Sequence, residues 1–461
     1  MIENSTKNYS FTILLIFVII EVLLFGSTNY NIQLFFSILE YLFVAVILIL
    51  NLELGLMYFM SFCLLTIGLA NYEEVSLSYN FYSIRIGGFS LNILFSFFVF
   101  ILLLFKKKMK IQLALNSYYK FFVLFFAYSF LIGIISVFFS INYLDNFLTD
   151  FMTYFPGILY IFFISNIKLT SAKIMVKYTI VLSVFMLLLS SLLDIKSTYA
   201  GEYFTLQNSL YFILPVALII FSGLYSRFQA LILLISFFTL FVLNEYFIAG
   251  KTIIMIFIFL IWLVTYRKNL RIPILISAAV IASFYNVIIV FLYEYFAGSV
   301  VSFKLAQTVE IFNIIDFEVL AKSYTSIGNL IAEAKTTIYH LIDNPINLIF
   351  GKGLGGGIPD IFGYLSQWAG TSGYNIIDQT RNDYHKMHLP IYEVVLKSGI
   401  IGLIYYIVIL YKSYINKSKY SVIGFLLLIL VFYVSKEQFL LCLLILKIID
   451  SDHKMIGKTN Q

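Results

Sequence analysis

Charge is what this chain has least of: Asp, Glu, Lys and Arg together make up 12% of its 461 residues, about half the share of an ordinary soluble domain. Hydrophobic residues reach 61%, which excludes a water-soluble fold of this size and predicts a polytopic membrane protein. Cysteine is nearly absent. Cys63 and Cys442 both fall in apolar runs without metal-type spacing, so a disulfide framework is excluded and both read as small apolar fillers. Internal repeats, low-complexity linkers and a separate soluble domain are also missing. The first apolar run follows Lys7 without a small-residue cleavage site, which predicts a retained span. The net charge of +6 does not point to nucleic acid, because Lys and Arg cluster beside apolar runs as topology signals do.

What is present is a series of apolar runs, most of them long enough to cross or nearly cross a hydrocarbon layer of about 30 Å. They predict spans at Tyr9–Phe25, Ile32–Leu50, Leu54–Ala70, Phe89–Phe105, Phe121–Ser140, Phe151–Ser165 and Tyr178–Leu193. Further spans are expected at Leu206–Tyr225, Ala230–Tyr246, between Lys251 and Arg267, and at Pro273–Phe296. Lys106, Lys107, Lys108 and Lys110 mark a cytoplasmic loop, and Asp145 and Asp150 read as part of an outer one. After a long polar segment, Leu389–Tyr411, Val422–Val434 and Gln438–Ile449 return to the membrane. The expectation is an all-α polytopic integral membrane protein of about 14 transmembrane helices (roughly 12–14), both termini cytoplasmic, with one large extracytoplasmic loop. Three regions follow: residues 1–296 with the first eleven helices, 297–388 as the loop, and 389–461 as the C-terminal helices and tail.

Chemistry is expected near the loop's end. Within it, Ser326–Ile342 has apolar residues at spacings of three and four and predicts an amphipathic helix, lying flat on the outer leaflet or packed on the bundle. Asn344-Pro345 stops it. The run Gly351-Lys352-Gly353-Leu354-Gly355-Gly356-Gly357 is not a Walker loop; its glycines, Gly353 and Gly355 among them, offer either a hinge or N–H groups that approach a ligand.

His388 directly precedes an apolar span, where an imidazole suits general-base work or is a bare interfacial residue. His385 lies three residues earlier, without the carboxylate or cysteine cluster that a metal site needs. Lys251 at a span start reads as an anion site or a snorkelling anchor. Arg381, Arg85, Lys335 and Lys352 are further outer cations. Glu21 and Glu40 sit in apolar runs and keep a transporter in view, with a position near the interface as the cheaper explanation.

These residues resemble a known superfamily, the bacterial O-antigen polymerases (Wzy-type) and O-antigen ligases (WaaL-type). Asn344-Pro345 followed by Gly351-Lys352-Gly353-Leu354-Gly355 is similar to the family's Asn-Pro and Gly-x-Gly-x-Gly element. His388, Glu393 and Ser398-Gly399-Ile400-Ile401-Gly402 resemble its histidine followed by a helix with Glu and a Gly-hydrophobic-hydrophobic-Gly step. Ala249-Gly250-Lys251-Thr252 is similar to its Ser-Arg element at a span start.

The resemblance implies a metal-independent, inverting glycosyltransferase without cofactor in a bacterial inner membrane. Its substrate would be undecaprenyl-diphosphate-linked oligosaccharide among membrane lipids, with a chain-length regulator and a flippase as partners. It implies His388 as the base, with Lys251, Arg381 and Lys335 binding the diphosphate. A ligase with a lipid A core acceptor and a lipid-linked oligosaccharide flippase are the alternatives.

Overall fold

A computed structural model describes residues 10–25, 29–65, 85–86, 89–106, 117–193, 196–199, 202–205, 224–243, 268–284, 287, 290–291, 294, 319, 326–368, 374, 376–387, 390–415, 440–441 and 443–448. The helices are α1 (Phe11–Phe25), α2 (Tyr30–Leu50), α3 (Leu52–Leu65), α4 (Leu91–Lys106), α5 (Ser117–Phe138), α6 (Leu144–Ser165), α7 (Leu169–Leu192), α8 (Arg227–Leu243) and α9 (Lys268–Ser283). They continue with α10 (Ser326–Asp343), α11 (Pro345–Phe350), α12 (Ile376–Arg381) and α13 (Pro390–Ile415). Two short antiparallel hairpins, β1–β2 (Arg85–Ile86 with Phe89–Ser90) and β3–β4 (Lys196–Tyr199 with Glu202–Thr205), join them.

Five described helices are long and apolar enough to cross a membrane: Asn31–Leu50, Tyr119–Phe138, Leu144–Ser165, Leu169–Met186 and Ile391–Val408. Shorter apolar helices lie beside them at Phe11–Leu24, Leu52–Leu65, Leu91–Lys106 and Arg227–Ser236. The chain is therefore a membrane-embedded, predominantly helical protein. Helices prevail because in lipid each backbone N–H and C=O must find its partner inside the segment.

Local sequence sets several boundaries. Asn29 Oδ1 accepts the N–H groups of Asn31 and Ile32 at 3.2 and 3.3 Å and opens α2. Asn51 ends α2 in an extended conformation and caps α3 by accepting the Leu54 N–H at 3.1 Å, so one residue makes the corner. Asn344 ends α10 as expected and then caps α11 through the Asn347 N–H at 3.3 Å, with Pro345 in the first turn.

One end of the bundle gathers charges near the spans' termini. Lys106 donates to the Leu48 and Ile49 carbonyls at the end of α2. Ser171 Oγ and the Lys168 N–H donate to Glu53 Oε1 at 2.8 and 3.4 Å, and Lys447 caps the Ile164 and Ile167 carbonyls.

Some boundaries differ from the expectation. Asp145 and Asp150 lie within α6, whose first turn starts at Leu144; an acidic residue there suits the positive helix end. The next helix starts at Leu169, so Lys173 and Lys177 are helical. The amphipathic helix forms, but α10 turns Asn329, Glu333, Thr336 and Thr337 inward and leaves Ile338, Tyr339 and Ile342 exposed. It packs on the protein through a mixed face, in which Ala332 and Leu341 are buried beside these polar side chains. Glu40 is at the midpoint of α2 and 7% exposed, while Glu21, 2% exposed, lies four residues before the end of α1; both face the protein interior. The predicted span at Leu206–Tyr225, apart from its last two residues, and those between Lys251 and Arg267 and at Val422–Val434 lie outside the described residues.

Candidate functional site

The turn that follows α11, Gly351–Gly357, is wedged among α5, α6 and α13. Gly351, Gly353 and Gly355 have φ of 76°, 74° and 77°, a region a side chain resists. Space is tighter still. A Cβ on Gly353 would lie 2.1 Å from the Gly133 nitrogen of α5, and one on Gly355 2.5 Å from the Phe147 nitrogen of α6. Gly351 and Gly399 press backbone to backbone: a Cβ on either would lie 2.6 Å from the nitrogen of the other.

Gly399, at φ 64° and ψ −162°, breaks the ladder inside α13. The carbonyls one turn before it then face the turn: the Lys352 N–H donates to Leu396 at 2.8 Å and the Gly353 N–H to Lys397 at 3.0 Å. The Leu354 N–H donates to the Ser129 carbonyl at 2.8 Å and the Gly355 N–H to Asp150 Oδ2 at 2.6 Å. Asn142 Nδ2 holds the Lys352 carbonyl at 2.8 Å. These N–H groups are spent on the protein. Through them the turn works as a staple between α5, α6 and α13.

Beneath it lies a buried charge network. Lys397, fully buried on α13, donates to Asp150 Oδ2 at 2.6 Å, the Gly356 carbonyl at 2.9 Å and the His385 carbonyl at 2.8 Å. Glu393, one turn earlier, lies 3.8 Å from Lys397 Nζ. It accepts the Tyr154 hydroxyl at 2.7 Å and the Met387 N–H at 3.0 Å. Two charged residues of one helix thus hold the backbone of residues 385–387.

Further buried polar groups lie on the adjoining segments. His385, 2% exposed, directs Nδ1 to Asp378 Oδ1 at 3.2 Å, while its Nε2 has no partner. Asp383 accepts from Asn146 Nδ2 at 2.9 Å. Burial pushes its carboxyl above the usual range, against the pull of Lys352, His385 and Lys397. Lys352 donates to the Gly357 carbonyl; burial lowers its ammonium below the usual lysine value, opposed by Asp383 and reinforced by Lys397. Burial, with Lys352 nearby, lowers His340 to about 4. The Tyr374 hydroxyl donates to Glu333 Oε1, and burial together with that carboxylate raises it well above the tyrosine range.

The expected site residues fall into separate places. Arg381 lies at the rim of the network, bound to Asp145 Oδ2 at 2.6 Å and 4.6 Å above the Tyr143 ring. Lys335 on α10 sits 4.6 Å over Phe362 and 5.4 Å over Tyr364. Gly353 and Gly355 form the staple. His388 and Lys251 lie outside the described residues. Among the described residues, no three His, Cys, Asp or Glu side chains converge as metal ligands.

Lys397 and Asp150 are absent from the sequence-based candidates. One signal was available: Glu393 and Lys397 stand four apart in an apolar run, and intramembrane charges are expensive enough to need a partner. No family model, curated protein or solved structure matches this chain.

Proposed function

We propose that this chain is a membrane glycosyltransferase that joins undecaprenyl-diphosphate-linked oligosaccharide repeat units at the outer face of a bacterial cytoplasmic membrane, with about 14 spans and one large outer loop. The observation that supports it is the contact between the two sequence elements carrying the family resemblance. The Gly351–Gly355 turn rests on Gly399 of α13, and Lys397 and Glu393 tie residues 385–387, which precede His388, to the same helix.

In this reading His388 takes the proton from an acceptor hydroxyl as its oxygen bonds to the donor's anomeric carbon. The bond to the diphosphate breaks on the opposite face, inverting the configuration. Lys251, Arg381 and Lys335 stabilise the charge that appears on the departing lipid diphosphate. Arg381 would exchange Asp145 for that anion.

A second reading, a flippase for the same lipid-linked unit, draws on Glu21 and Glu40, two acids buried among apolar helices. Surface-glycan gels of a strain lacking the gene, with analysis of its accumulated lipid-linked glycans, test both. A core bearing single repeats, restored by wild type but not by His388→Ala, is the expected result. Long polymer stranded on the carrier means a ligase, and single repeats trapped on the cytoplasmic face mean a flippase. Either overturns the polymerase.

A further inference from the structure

The glycine turn sits well inside the spans. α5 and α13 run antiparallel: Phe121 of the one meets Tyr405 of the other at 5.2 Å between ring centroids, and the turn bridges Ser129 and Lys397 further along both. α13 therefore starts at the end of the bundle where α5 stops at Phe138 and α6 starts at Leu144. From that end, at a rise of 1.5 Å per residue, Ser129 and Gly133 lie about 14 and 8 Å down α5 and Asp150 about 9 Å down α6. Gly399 lies about 12 Å down the α13 span that opens at Ile391. Three helices agree on a depth of about 8–14 Å, within a hydrocarbon layer of about 30 Å.

The bilayer extends beyond that level. Leu131, Ile134, Ile135 and Phe138 of α5 are exposed, and the chain carries no charge from Phe121 to Leu144, so a water surface at the turn would leave all four in water. The backbone agrees. Besides the N–H groups of residues 352–355, those of Gly351 and Gly356 find the Asn347 and Gly353 carbonyls at 2.8 and 3.2 Å. The Phe350 carbonyl accepts the Tyr128 hydroxyl at 3.0 Å, Asn142 holds the Lys352 and Leu354 carbonyls, and Lys397 and Lys352 hold those of Gly356 and Gly357. Irregular backbone at membrane depth is tolerated when it is paired inside protein in this way.

α11 leads the chain down to this turn. Its sequence, Pro-Ile-Asn-Leu-Ile-Phe, has no charge and none of its residues is buried. A Cβ on Gly399 would lie 2.3 Å from the Ile349 carbonyl oxygen, so α11 ends against the middle of a span while Ile346, Ile349 and Phe350 stay exposed. On the adjoining helix Ile400, Ile401 and Ile404 are exposed as well, which makes one apolar surface of α11 and the α13 span.

We propose that α11 and the glycine turn form a re-entrant segment, dipping from the loop side to near mid-membrane, and that Ile346, Ile349 and Phe350 contact lipid acyl chains. Neither His388 nor Lys251 enters the argument, so the segment keeps this place whether the chain transfers sugars or moves lipid.

Photolabelling of the full-length protein in phosphatidylethanolamine–phosphatidylglycerol vesicles with an apolar aryl diazirine, mapped by mass spectrometry, tests the lipid contact. Residues 346–350 should be labelled as strongly as Leu131, Ile134 and Ile135, and at least about tenfold above Gln379 and Thr380, the exposed polar residues of α12, because the reagent concentrates in lipid. A nitroxide attached at Ile349→Cys, with the unsubstituted protein as blank, should show relaxation by oxygen over a water-soluble nickel complex that places it about 8–14 Å below the hydrocarbon edge. Labelling of α11 at the level of Gln379 overturns the proposal, meaning that water, another stretch of the chain or a second copy covers it. So does a nitroxide at headgroup depth, which would lay α11 flat on the surface.

Discussion

Replacing Lys397 with methionine isolates the charge at the centre of the buried network. Methionine nearly matches the lysine stem in volume, so the packing loss is small, and what disappears is the ammonium. Asp150, 3% exposed, loses its partner at 2.6 Å, Glu393 loses one at 3.8 Å, and the Gly356 and His385 carbonyls lose donors at 2.9 and 2.8 Å. Breaking a buried pair from one side costs about 3–5 kcal/mol, because the other charge stays behind uncompensated. Neutralising that charge as well should recover much of the loss, so Asp150→Asn with Lys397→Met should be less destabilised than the sum of the singles by about 2–3 kcal/mol. Chemical unfolding in mixed micelles, followed by tyrosine and tryptophan fluorescence, measures all four members of the cycle. A single Lys397→Met cost under about 1 kcal/mol, or strict additivity, would refute a desolvated ion pair and mean that water reaches the site.

Glycines give a paired test: Gly353→Ala should cost about 3 kcal/mol or more, combining a left-handed backbone with a Cβ 2.1 Å from Gly133. Gly363→Ala, at φ 71° with open space around it, should cost only about 1 kcal/mol, and equal losses would remove the staple. The Arg381–Asp145 pair is 33% and 53% exposed, so Arg381→Ala should change stability by about 1 kcal/mol or less. Its donor KM should rise, and an unchanged KM would take Arg381 out of the diphosphate site. His340 is held at about 4 in the fold against about 6.5 when unfolded. The unfolded chain therefore binds the proton first, and stability should fall as pH drops from about 6.5 to about 4, then level off. Partial exposure limits the loss to about 1–2 kcal/mol; His340→Gln should flatten that stretch of the pH–stability curve, and an unaltered slope would assign it to other groups.

By itself the sequence determined that this chain lives in a membrane and is built from helices. Both properties are local: apolar length decides what can enter lipid, and backbone groups there must pair within a few residues. The same locality made Ser326–Ile342 legible as a helix and Asn344-Pro345 as its stop. It also left Gly353 and Gly355 open to opposite interpretations, since glycine at positive φ is equally at home in a ligand loop and in a tight contact.

Tertiary structure decided which. The turn's N–H groups end on Leu396, Lys397, Ser129 and Asp150, partners far away in the chain. The burial of Glu333, Thr336 and Thr337 on α10 and of Glu40 on α2 came from the fold for the same reason. Periodicity shows that a helix has two faces, but not which neighbour each face meets. Lys397 is the clearest instance. One lysine in an apolar run has no meaning until α6 brings Asp150 within 2.6 Å of it, because a buried charge is defined by its counter-charge, and no local rule places that partner.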